Sequence, residues 1–140
     1  MSKKLEWLDS YSIDIDEIDS QHKKLLSIAN ELYDLVEGSE QTYKLQVTKA
    51  LKKLTDYTEY HFSYEEGFQT RYGYPQVEFH KMQHDQFIQQ VNDEIRKLSN
   101  PTQADGVKMY EFLVNWVLNH IAKSDRVWAS FVIKKISGEN

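Results

Sequence analysis

QTYKLQVTKALKKLTDYTEYHFSYEEGFQTR, residues 41–71, is the stretch that decides the fold. Its apolar residues Tyr43, Val47, Ala50, Leu54, Tyr57 and Phe68 recur at helical spacing, with Lys, Asp, Glu and Gln on the opposite face. His61 and Glu65 fall on the same stripe, between Tyr57 and Phe68. The same period runs through the flanking sequence. Residues 18–37 carry Ile18, Leu25, Ala29, Leu32 and Val36; residues 76–98 carry Val77, Phe87, Val91, Ile95 and Leu98; residues 104–122 carry Tyr110, Leu113 and Val117. Gly38, Gly73-Tyr74-Pro75 and Asn100-Pro101 with Gly106 mark the breaks, because proline lacks a backbone donor and restricts the residue before it. No strand-like alternation of useful length occurs. Four amphipathic helices on short connections predict an all-α, antiparallel up-down-up-down four-helix bundle spanning 18–122, followed by a short C-terminal helix at 126–136.

Residues 1–17 differ. Trp7, Tyr11, Ile13 and Ile15 stand among polar residues with no helical register, and read as an extended arm laid over the bundle. Asp16 or Asp19 is expected to cap the first helix, its carboxylate accepting from free backbone N–H groups. The whole chain, 1–140, has the size of one domain. Its net charge of -5 argues against a nucleic-acid backbone as partner, and the lack of cysteine removes disulfides, thiolate metal sites and thiol nucleophiles together. No run approaches the length of a membrane span, and no signal peptide is evident, so the expectation is a soluble, cytoplasmic monomer.

The five histidines all fall on inward stripes. His22 lies between Ile18 and Leu25, His61 between Tyr57 and Phe68, His80 and His84 between Val77 and Phe87, and His120 follows Val117. One histidine on an apolar face is ordinarily a core residue with a partner; five converging with a carboxylate are not. Glu65 also faces inward, and its stripe offers no Lys or Arg to pair with it. A buried, unpaired carboxylate is costly, and a divalent cation held by neutral imidazoles and ionised carboxylates removes that cost. His61/Glu65 and His80/His84 are i, i+4 pairs that share a helix face. His120 and Asp125 are i, i+5, which on an ideal α-helix leaves Asp125 about 100° off the stripe. For Asp125 to join the site the helix must widen into a π-bulge, or end there.

Five imidazoles and two carboxylates suit two ions better than one. If both carboxylates bridge, they supply about nine of about twelve octahedral positions; one bridging oxygen fills about two more and leaves roughly one open. Imidazole with carboxylate and no thiolate suits iron, manganese or zinc and disfavours calcium. Asp14-Ile-Asp16-Glu-Ile-Asp19 fails as a calcium loop, because Asp19 stands where such a loop needs glycine and Leu25 where it needs glutamate. The Lys23-Lys24 and Lys52-Lys53 pairs read as ordinary exposed faces.

Over nearly its whole length the chain resembles the hemerythrin family, in its single-domain bacterial form. The resemblance rests on Trp7 and Tyr11, Ile-Asp-Ser-Gln-His22, His61-Phe-Ser-Tyr-Glu65-Glu, Tyr-Gly-Tyr-Pro75, the His80/His84 pair, Trp116-Val-Leu-Asn-His120-Ile and Asp125. It implies reversible dioxygen binding at two non-haem iron ions with a bridging oxo or hydroxo group. By position His80, His84 and His120 would hold one iron, and His22 and His61 the second, which keeps the open position. Glu65 and Asp125 would bridge, and oxygen would bind as a hydroperoxide. Such a pocket must be dry; Leu25, Phe62, Phe87, Trp116, Val117 and Ile121 are the corresponding wall residues, all of which also serve as core. Val117 stands where the family commonly has a longer aliphatic residue, and Phe68 where Met is frequent; neither touches a ligand.

The resemblance points to an oxygen-binding protein for storage, delivery or scavenging, not to an enzyme, with an oxygen-consuming enzyme or redox partner downstream. One alternative is a di-iron oxidase or peroxidase, but the Glu-x-x-His pattern of carboxylate-rich sites is absent. Another is an oxygen or redox sensor, which usually carries an output domain on the same chain. A structural zinc bundle is disfavoured by the open position.

Overall fold

The computed structural model describes residues 4–97 and 102–138. Helices α1 (Asp16–Glu37), α2 (Glu40–Arg71), α3 (Val77–Arg96) and α4 (Gln103–Asn119) form the bundle; a π-helical turn, His120–Asp125, runs directly into α5 (Arg126–Ile136). α1 packs on α2 and α4, and α2 on α3, as short antiparallel connections require. The expected spans agree within a few residues. Leu98 and Asn100-Pro101, used to end the third helix, lie outside the described residues, as do 1–3 of the arm. No helix among the described residues is long and apolar enough to cross a membrane.

Helix ends follow local chemistry. Ser39 caps α2 by accepting from the Thr42 amide, and Thr102 caps α4 by accepting from Asp105. The Gln103 side chain donates to the carbonyls of Val36 and Gly38, tying the start of α4 to the end of α1. Gly73 takes φ +70 in the α2–α3 turn, a conformation that costs glycine little. The expected capping of α1 is corrected. Ile15 occupies the N-cap position with no side-chain cap, and Asp19 accepts instead from the Ser12 hydroxyl and the Ile13 amide, fastening the arm. Farther out, Leu5 exchanges two 2.8 Å hydrogen bonds with the Asn30 side chain. Among its described residues the arm holds one 3-10 turn, at Asp9–Tyr11, flanked by extended Leu8 and Ser12, and Asp14 takes a left-handed φ of 62.

Two apolar clusters result among the described residues. The larger fills the bundle with Leu25, Leu32, Tyr43, Leu54, Phe62, Phe87, Val91, Tyr110, Leu113, Val117 and Ile121 among others. The smaller joins the arm to α5 through Ile13, Ile15, Ile18, Trp128, Ala129 and Val132. On α1 His22 falls between Ile18 of the smaller cluster and Leu25 of the larger, and Asp125 falls between Ile121 of the larger and Trp128 of the smaller, so the site is a polar layer between the two clusters. On α2 the centre of the buried face runs through Thr58 and Gln69, while Ala50, Tyr57 and Phe68 flank it half-buried. Thr55 and Thr58 remain satisfied by donating to the carbonyls of Leu51 and Thr55.

Gly106 is no break. It lies in the first turn of α4, where an added Cβ would stand 2.7 Å from the Tyr43 ring and 2.9 Å from Val36. Both neighbours are held in the core, so Gly106→Ala is expected to cost about 1–3 kcal/mol by overpacking. Urea unfolding measures it; a gain in stability would show that α4 can move away freely.

Candidate metal centre

α1 contributes His22, α2 contributes His61 and Glu65, α3 contributes His80 and His84, and the π-helical turn contributes His120 and Asp125. All seven side chains are buried, Glu65 and Asp125 completely. The widened turn does what i, i+5 spacing demands: it brings Asp125 onto the stripe of His120, with 3.2 Å between His120 Nε2 and Asp125 Oδ1.

The donors sort into two overlapping groups, one of Glu65, His80, His84, His120 and Asp125, the other of His22, His61, Glu65 and Asp125. Each carboxylate divides its oxygens between them. Glu65 Oε1 faces His80 and His84 Nε2 at 3.5 and 3.3 Å, while Oε2 faces His22 and His61 Nε2 at 3.1 Å each. Asp125 Oδ1 faces His80 and His120 at 3.1 and 3.2 Å, and Oδ2 faces His22 at 3.1 Å. Among the imidazoles, His84 and His120 Nε2 are 3.0 Å apart and His120 and His80 Nε2 3.2 Å. Donors about 2.1 Å from one ion and at right angles stand about 3.0 Å apart, so these separations are edges of a coordination polyhedron. Glu65 Oε1 and Asp125 Oδ2 also lack hydrogen-bond partners, although buried. The residues fit a pair of ions with shared carboxylates.

Outer partners set the tautomers. His61 Nδ1 lies 2.7 Å from Gln21 Oε1 and His84 Nδ1 2.8 Å from Glu66 Oε2, so each Nδ1–H donates outward and leaves Nε2 free to bind metal. These two residues escaped the reading of the sequence. Phe62 stacks on His84 with ring centroids 3.8 Å apart and planes within 2°. Of the six wall residues, Leu25, Phe62, Phe87, Val117 and Ile121 are buried in the larger cluster. Trp116 is half-buried; it stacks on His120 at 4.4 Å and lines an open cleft with His120, Gln83 and Asn119.

Without metal, protons must balance the buried acids. Burial alone pushes the His22 and His80 imidazoles down, but Asp125 and Glu65 beside them raise His22 to about 10 and His80 to about 9. Burial pushes the Glu65 carboxyl up, yet His61, His22 and His80 hold it well below the usual range. Burial and the charge of Glu65 push Asp125 up, and His120 and His22 overcome both. The raised imidazoles stabilise the metal-free fold fully below the ordinary histidine value of 6.5 and lose that contribution as pH rises through about 9–10. The depressed acids contribute above their ordinary values of 4.5 and 3.8, and that contribution is lost as pH falls below them. Metal-free protein is therefore expected to be most stable between these limits and to weaken on the alkaline side, as read from Tm against pH. A Tm unchanged from pH 6 to 10 would contradict this electrostatic balance. Metal uptake should release protons.

The chain is similar to known proteins over most of its length. The hemerythrin HHE cation binding domain matches residues 13–132. A bacteriohemerythrin of Clostridium acetobutylicum is 34% identical over 122 residues, 86% of this chain and 95% of the relative. One of Pseudomonas aeruginosa is 31% identical over 133 residues, 95% of this chain and 84% of the relative. A crystal structure of wild-type hemerythrin aligns with a TM-score of 0.79 at 25% identity, over 91% of this chain and 97% of that one. Both the match across most of the length and the two-group cluster of imidazoles and carboxylates lead to one assignment: this chain belongs to the hemerythrin family.

Proposed function

We propose that the protein binds dioxygen reversibly at a non-haem di-iron centre, on the side of His22 and His61. The observation that carries this reading is the unequal division of donors: five side chains form one group and four the other, with Glu65 and Asp125 common to both. The four-donor side keeps more room for a guest. Two ferrous ions held by these residues would supply the electrons that hold oxygen reversibly.

The chain's own residues do the rest. Glu65 and Asp125 set the spacing of the ions by presenting one oxygen to each side. Gln21 holds the His61 ring in its metal-binding tautomer. Leu25, Phe62 and Ile121, each no more than 3% exposed, exclude water and hence the protons and anions that would convert a bound guest into released product. Imidazoles outnumber carboxylates five to two, which limits the negative charge on the centre and favours binding over turnover.

The test is a visible spectrum of the ferrous protein exposed to air and then to vacuum. A band that appears and disappears over repeated cycles supports the carrier reading. Permanent conversion to ferric protein in the first cycle would assign it to oxidation or sensing instead.

A further inference from the structure

The two bridging carboxylates are not held alike. Trp128 is completely buried, and its indole N–H donates to Asp125 Oδ1 at 3.0 Å. It follows Asp125 by three residues, in the first turn of α5, so donor and carboxylate share one helix face. An indole can only donate, and a buried one needs an acceptor. Its ring belongs to the cluster that joins the arm to α5, with Ile13, Ile15 and Ile18, and cannot swing away from the acid. Among the described residues Glu65 has no such tether. Its Oε1 lacks a hydrogen-bond partner, and the groups around its two oxygens are the ligand imidazoles themselves.

We infer that Trp128 is a positioning residue that fixes Asp125 as the rigid bridge of the metal pair. This rests on the two-ion reading of the site. The hydrogen bond is charge-assisted and spans one turn, so it selects the rotamer in which Oδ1 serves the His80/His120 side and Oδ2 the His22 side. It also draws charge out of the carboxylate, which makes Asp125 a weaker donor to the metals and favours the reduced pair. The arm and α5 thereby act on the centre without touching it.

Trp128→Phe keeps the ring and deletes the N–H. In the ferrous-loaded full chain it is expected to bind iron about tenfold more weakly than the wild type and to show a lower midpoint potential. Simple loosening of the core would lower Tm without moving the potential in that direction. An unchanged affinity and potential overturn the inference. Should the variant not fold, the wild-type protein loaded with zinc decides by NMR. The Trp128 indole proton should resonate downfield of those of Trp7 and Trp116; a position among them overturns the tether. Wild-type protein that takes up no iron defeats the two-ion reading beneath it, a result distinct from a loaded variant that behaves as wild type.

Discussion

Glu65→Ala protein, reconstituted with ferrous iron, is expected to retain neither ion through desalting, whereas the wild type retains both. The reason is the sharing of one carboxylate: Oε1 serves the His80/His84 side and Oε2 the His22/His61 side. One substitution removes an anionic donor from both groups and leaves Asp125 alone to neutralise the metals. The loss should exceed the ~10–100-fold in affinity that follows removal of an outer-shell partner. Removing one member of a buried ionic cluster ordinarily costs about 3–5 kcal/mol of stability. Here the cost to the metal-free fold should be smaller, because His22 and His80, raised by Glu65 and Asp125, can release their protons. Iron per chain and the urea midpoint of the metal-free variant measure the two effects. Full iron retention would show that Glu65 does not bridge.

Single histidine substitutions should act on one side more than the other. His61→Ala leaves its group with His22, Glu65 and Asp125, three donors, while the opposite group keeps all five. Its iron content is expected to fall to roughly one per chain, with the survivor on the three-histidine side. His84→Ala removes a ligand together with its hydrogen bond to Glu66 and its stack on Phe62, so iron should be lost from the other side. Metal analysis of the purified variants reads both results. Two irons per chain in either one would refute the assignment of that histidine.

All seven members of the buried donor cluster were legible in the sequence because helical periodicity can be set from apolar residues alone, and His22, His61, Glu65, His80, His84 and His120 then land on the buried face. Asp125 was legible as a conditional: its i, i+5 spacing required a widened turn, and the π-helical turn His120–Asp125 is that turn. What supports the ligands was not legible. Gln21 and Glu66 adjoin His22 and Glu65 in sequence, yet each bonds a ligand on another helix, and cross-helix contacts have no period. The N–H of Trp128 has meaning only once the fold places Asp125 beneath it. Thr58 and Gln69 are buried despite their polarity, so apolar patterning drew the stripe of α2 toward Tyr57 and Phe68. Asp19 has the composition of a helix cap but binds the arm instead, because Ser12 and Ile13 approach it from outside the helix.

Anomalous X-ray diffraction from crystals of the iron-loaded protein tests the central claim most directly. The account predicts two iron peaks, one enclosed by His80, His84 and His120 and the other beside His22 and His61, with Glu65 and Asp125 touching both. A single peak, or a pair spanned by neither carboxylate, would contradict it.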